Sequence, residues 1–169
     1  YGRIVNVCSG GFSGTRLLGA YGVSKGGLFS LTRVLSVEGA PFGIKAHAVN
    51  PLAFTRMLAS QQEESSPLYR EARANHPAEL VSPVVAFLAH DSCPVTGECI
   101  DAMGGQLRRT YIAQTAGFFD KALTIETIAE RWAEVMDTAG ASVVSAGATD
   151  SGLWDVKPYR PAEIAGATP

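Results

Sequence analysis

Tyr21 and Lys25 stand four residues apart in the run Ala20-Tyr21-Gly22-Val23-Ser24-Lys25, and Ser9 lies twelve residues before the tyrosine, at the end of an apolar run. On a helix that spacing puts a phenol and an ammonium on one face, one turn apart. An unperturbed tyrosine titrates near pKa ~10, and a cation within about 4–6 Å favours the phenolate. A tyrosine so placed can act as an acid and a base near neutral pH. The chemistry that needs it is hydride transfer at a C–O bond, in which a proton enters or leaves the oxygen as hydride moves at carbon. A serine hydroxyl can polarise the same oxygen. By itself a tyrosine four residues before a lysine is an ordinary exposed helix pair, so the weight falls on the elements around it.

Residues 3–8 form a short apolar, β-branched run, the pattern of a strand buried on both faces of a parallel sheet. The segment 9–19 carries four glycines and reads as a loop of tight bends. Residues 21–39 then have helical periodicity through Val23, Leu28, Leu31, Val34 and Leu35. Residues 44–49 are the next strand, which Asn50-Pro51 is expected to end. A polar stretch, 59–77, reads either as a helical lid or as a solvated loop, with the lid preferred. Ser82-Pro83 fits an N-cap followed by proline in the first turn, with Val84, Val85, Phe87 and Leu88 as the packing face. A third strand, 98–103, follows the turn at Thr96-Gly97. Strands alternating with helices predict an α/β fold with right-handed crossovers.

This order of strand, Ser9, glycine-bearing loop, Tyr/Lys helix, strand and Asn50-Pro51 resembles the short-chain dehydrogenase/reductase family over roughly the first hundred residues. The resemblance implies a Rossmann-type doubly wound parallel sheet, of which about three strands with flanking helices fall in this chain. It also implies catalytic roles for Ser9 (rather than Cys8 or Ser13), Tyr21 and Lys25. Tyr21, Lys25, Pro51, Ala53 and Thr55 are the implied cofactor contacts, and the implied cofactor is NAD or NADP. The family's glycine-rich phosphate loop, its ribose-reading acidic residue and its catalytic asparagine have no counterpart here. The chain is therefore expected to be the C-terminal part of such a domain, with the choice between NAD and NADP made outside it.

Residues 1–105 are assigned to that half-domain. Residues 106–138 are assigned to an extension, with a strand or extended arm over 109–114 and an amphipathic helix built on Ile125, Ile128, Ala129, Trp132, Val135 and Met136 and capped by Thr124. Residues 139–169, rich in Ala, Gly, Ser, Thr and Pro, are assigned to a flexible tail.

Across 169 residues the formal charge is −2, which offers no basic surface for nucleic acid, and no run approaches the ~18 apolar residues of a membrane span. Cys8, Cys93 and Cys99 have no CxxC spacing and read as buried, reduced thiols without a metal, which suits a cytoplasmic protein. His47 lies in a strand and reads as a packing residue, while His76 and His90 read as surface residues. The resemblance implies that the Tyr/Lys helix joins a subunit interface, so the full-length enzyme is expected to be a dimer or tetramer.

Within the family, Asn50-Pro51-Leu52-Ala53-Phe54-Thr55-Arg56-Met57, Val37-Glu38-Gly39 and Ala89-His90-Asp91-Ser92-Cys93 are similar to the (3R)-hydroxyacyl-CoA dehydrogenase domain of type 2 multifunctional β-oxidation enzymes. That implies a small-molecule substrate of the 3-hydroxyacyl-CoA or steroid type. Two features depart from relatives: the segment from Ser9 to Tyr21 is one residue short, and Leu52 replaces a small residue. A catalytically silent fragment and a 3-oxoacyl carrier protein reductase are the competing readings. The reductase predicts a basic docking patch that the sequence does not show.

Overall fold

The computed structural model describes residues 1–147. Its main sheet holds β1 (Gly2–Val7), β2 (Ile44–Leu52), β3 (Cys99–Met103) and β4 (Gln106–Thr110) in that spatial order. The first three strands are parallel, joined by crossovers that carry α1 (Gly19–Glu38) and α4 (Ser82–Ala89), and β4 turns back antiparallel on β3. The sheet is therefore mixed and four-stranded where about three strands were expected. The extra strand was hidden because Gln106, Arg108 and Arg109 give it a polar, exposed edge with no apolar alternation.

Side-chain alternation along the parallel strands sorts the core into two layers. On one face Cys8, Ala48 and Cys99 pack against Phe29 of α1, with Phe12 and Leu28 around them. On the other, Val49, Ala102 and Cys93 pack against Leu88 of α4, with Val5, Val84, Val85 and Ile100 around them. Helices thus cover both faces, as a doubly wound sheet requires. All three cysteines are buried and unpaired.

Three boundaries differ from expectation. Asn50-Pro51 does not end β2, which runs on to Leu52 alongside β3. Val49 directs its carbonyl to the N–H of Cys8, just past β1, whereas Ala48 directs its N–H to Glu98 beside β3. By this alternation Pro51 faces the β1 side, beyond the last β1 pair at Val7 and Val49, where a missing N–H costs no ladder bond. The Tyr/Lys helix starts at Gly19, two residues early. Ser82 is the first residue of α4 rather than its cap, because a 3-10 turn at Ala78–Leu80 feeds straight into the helix through Val81.

The polar stretch is helical: α2 (Arg56–Gln61) and α3 (Pro67–Asn75) are capped by the hydroxyls of Thr55 and Ser66. In the extension, β5 (Ala113–Gln114) precedes α5 (Ile125–Met136), which Thr124 caps through the Thr127 N–H. Within the stretch read as a tail, β6 (Ser142–Val143) pairs with β5, and the Val144 carbonyl accepts from Arg33 of α1 at 2.6 Å. Residues 148–169 of that tail lie outside the described residues. No helix among the described residues is long and apolar enough to cross a membrane.

Candidate active site

The site forms where parallel strands end and helices begin, the usual position for ligands in open α/β sheets. Ser9 leaves β1 and caps a 3-10 turn, Gly10–Ser13, its Oγ accepting from the Gly11 N–H at 3.1 Å. Tyr21 lies in the first turn of α1 and Lys25 one turn later. The register of α1 against β1 is fixed internally. Thr32, fully buried, donates to the Leu28 carbonyl at 2.8 Å and accepts from the Asn6 side-chain amide at 2.9 Å.

Lys25 Nζ donates to the Val7 carbonyl at 2.8 Å and lies 5.7 Å from the centroid of the Tyr21 ring. The ammonium is thus anchored to the strand that delivers Ser9 while remaining beside the phenol. The Tyr21 side is open: the residue is 43% exposed. Gly11 sits against the ring, so close that a Cβ there would be 3.2 Å from Tyr21 Cε1.

A cleft of about 710 Å³ gathers all of the residues expected from the sequence, Ser9, Tyr21, Lys25, Pro51, Ala53 and Thr55. Pro51, Ala53 and Thr55 arrive there on the bend that leads from β2 into α2. Thr55 Oγ1 accepts from the Leu58 N–H at 3.3 Å, which leaves the hydroxyl proton for another acceptor. Sequence reasoning missed the opposite wall, where Met57, Val81 and Val85 supply apolar surface. Val81 and Val85 stand four residues apart, and because Val85 belongs to the apolar packing face of α4 with Val84 and Leu88, nothing in the pattern marks it as lining a cleft.

Cys8 floors the cleft beside Ser9. Burial pushes its thiol pKa up, and Sγ donates to the Lys25 carbonyl at 2.9 Å, so the thiol is chemically quiet. His47 is fully buried, with Nε2 3.7 Å from Cys93 Sγ, and does not line the cleft. His90 is exposed, as expected. His76 is not a surface residue: its side chain is 16% exposed and pairs with Glu71 at 3.1 Å, because it terminates α3 where the chain returns to the sheet.

The two ends of the α2–α3 excursion meet there. The Phe54 N–H donates to the His76 carbonyl at 2.6 Å, Phe54 bridges Pro77, and the Phe54 ring meets Tyr69 of α3 edge-on at 5.0 Å. Among the described residues, no three His, Cys, Asp or Glu side chains gather as a metal site.

A family model described as enoyl-(acyl carrier protein) reductase, of the short-chain alcohol dehydrogenase type, matches residues 1–106. A short-chain type dehydrogenase/reductase of Mycobacterium tuberculosis is 35% identical over 149 residues, covering 85% of this chain and 49% of that protein. The peroxisomal multifunctional enzyme type 2 of Drosophila melanogaster is 29% identical over 158 residues, covering 90% of this chain and 25% of that protein. The solved full-length structure of that fly enzyme superposes with a TM-score of 0.71 over 90% of this chain and 27% of its own. A short-chain dehydrogenase from Mycobacterium avium superposes with a TM-score of 0.60 at 25% identity, over 79% of this chain and 44% of its own. The chain thus spans half or less of the length of these relatives.

Proposed function

This chain belongs to the short-chain dehydrogenase/reductase family, and from that premise we propose that it carries the proton-handling part of an NAD- or NADP-dependent oxidoreductase interconverting a secondary alcohol and a ketone. The observation that carries the reading is the convergence of phenol, ammonium and serine hydroxyl in one cleft at the strand ends.

A nicotinamide cofactor supplies the hydride acceptor for the carbinol carbon, or the donor in the reverse direction. The residues on this chain suited to holding its nicotinamide and ribose are Lys25 and Thr55, an N–H and an O–H donor, with Pro51 and Ala53 forming a wall free of bulky side chains. Tyr21 takes the proton of the substrate hydroxyl during oxidation and returns it during reduction. The Lys25 ammonium, 5.7 Å from the ring centroid, supplies a positive charge beside the phenol. Ser9 donates its hydroxyl proton to the substrate oxygen, because the Gly11 N–H already occupies one of its lone pairs.

The substrate we propose is a bulky 3-hydroxyacyl-CoA or steroid-like alcohol. A cleft of this volume with an apolar wall from Met57, Val81 and Val85 supports an extended apolar substrate, and α2, which brings Met57 to the lining, is placed to help exclude water from it. The experiment is a panel assay on the full-length protein with both cofactors. (3R)-Hydroxyacyl-CoA esters or hydroxysteroids should be turned over more efficiently than short polyols, and Tyr21→Phe should lower the rate at least a hundredfold while cofactor affinity holds. Turnover of polyols above all the bulky substrates defeats the substrate class. Retention of more than about a hundredth of the rate by Tyr21→Phe defeats the acid/base assignment.

A further inference from the structure

Gly11 stands between the two groups that the proposed chemistry directs at one substrate oxygen. Its N–H donates to Ser9 Oγ at 3.1 Å, fixing which way the hydroxyl can present its proton. Its Cα faces the phenol ring: an added Cβ would lie 3.2 Å from Cε1 and 3.4 Å from Cδ1 of Tyr21, and 3.4 Å from Ser9 Oγ. Its carbonyl oxygen lies 3.5 Å from where a Cβ on Gly22 would stand, so the first turn of α1 closes onto the 3-10 turn between two glycines. The φ of Gly11 is not positive, so the backbone there does not demand glycine; what glycine supplies is room. The adjacent Gly10 faces open space.

The connection between the turn and α1 has little slack to absorb a displaced ring. Leu17 is already held at a left-handed φ of 67°, and the Gly22 N–H is bonded to the Leu18 carbonyl at 2.6 Å.

We propose that Gly11 is a positioning residue that sets the spacing between the Ser9 hydroxyl and the Tyr21 phenol, and with it the geometry in which both reach the substrate oxygen. The proposal rests on the oxidoreductase reading above. A methyl group at this position displaces the ring or the hydroxyl by a few tenths of an ångström. Misplacement of about 1 Å can cost 10²-fold in rate, so a shift of this size is expected to lower kcat about tenfold.

The test uses the full-length protein and four variants: Gly11→Ala, Gly10→Ala, Tyr21→Phe, and Gly11→Ala combined with Tyr21→Phe. Gly11→Ala is expected to lose about tenfold in kcat with the KM for cofactor and the unfolding midpoint held. Gly10→Ala should match the wild type. In the Tyr21→Phe background the Gly11→Ala substitution should cost clearly less than it does in the wild type, because one of the two groups whose spacing it sets is gone. Equal losses in Gly10→Ala and Gly11→Ala overturn the proposal. So does an undiminished kcat in Gly11→Ala, full additivity in the double variant, or a Gly11→Ala protein that does not fold while Gly10→Ala does. A wild type that oxidises no secondary alcohol overturns instead the oxidoreductase reading itself, which separates the two failures.

Discussion

Thr32→Val tests what holds the Tyr/Lys helix in register with the strand that carries Ser9. Valine keeps the shape and β-branching of threonine, so the helix loses little intrinsic propensity, and only the hydroxyl disappears. Two hydrogen bonds go with it, to the Leu28 carbonyl at 2.8 Å and from the Asn6 amide at 2.9 Å. The Leu28 carbonyl retains its helical acceptor role, so the group left without a partner is the Asn6 amide. An unsatisfied buried donor costs about 1–3 kcal/mol, and the added methyl at a fully buried site returns roughly 0.8 kcal/mol. Asn6 is half-buried, which places the loss toward the lower end, a net of about 0.5 kcal/mol. In a chain of this size that lowers Tm by roughly 1–2 °C. Thermal and urea unfolding of wild type, Thr32→Val and Thr32→Val/Asn6→Leu measure it. Removing both partners should recover most of the loss, since no polar group is then stranded. A single variant as stable as wild type, or a double variant no better than the single, refutes the idea that this pair pins α1 to β1.

His47 gives a pH dependence with a defined sign. Burial, then the neighbouring Lys45 charge, holds its pKa below the ordinary 6.5, so between the two values the unfolded chain binds the proton more readily and stability rises with pH. The contribution is complete above about pH 6.5 and is lost as pH falls through that value toward the folded one; the urea midpoint should drop over this window less in His47→Leu than in wild type, and identical pH profiles would exclude His47 as the cause. Leu17, 91% exposed and at φ 67°, pays for its left-handed backbone without burying its side chain. Leu17→Gly should therefore stabilise the protein by about 1 kcal/mol in urea unfolding, and a destabilised variant would show that the side chain contributes something its exposure conceals.

The placement of Tyr21 beside Lys25 was legible because helical periodicity puts them on one face, whereas the choice of Ser9 over Cys8 and Ser13 came from family resemblance. Pro51, Ala53 and Thr55 came from family resemblance, and the β2 bend brings them to the same cleft. What escaped depends on which neighbour a backbone faces. Pro51 reads as a strand breaker until its missing N–H is seen to point away from the only paired side. Ser82 reads as a cap until a 3-10 turn is seen to run into the helix ahead of it. The pairing of β4 is set by the Gly104–Gly105 turn, both at positive φ, and by bonds such as Thr110 to Asp101 at 2.8 Å, which no alternation announces. Gly11 carries no signal in sequence at all, since a glycine needed for space looks like one needed for a bend.

The meeting of Phe54 with His76 and Pro77 makes the α2–α3 excursion a closed bight whose neck belongs to the scaffold and whose body does not. Strand order and the Ser9, Tyr21 and Lys25 geometry are settled without the chain between those residues. Closure entropy rises only by about 0.6 kcal/mol for each doubling of such a loop. Segments of different length and side-chain character can thus be exchanged at that neck for little thermodynamic penalty. Under the function proposed above, much of the choice of alcohol would then be separable from the residues that handle its proton, and divergence in substrate could proceed by rewriting one excursion while Ser9, Tyr21 and Lys25 stay as they are.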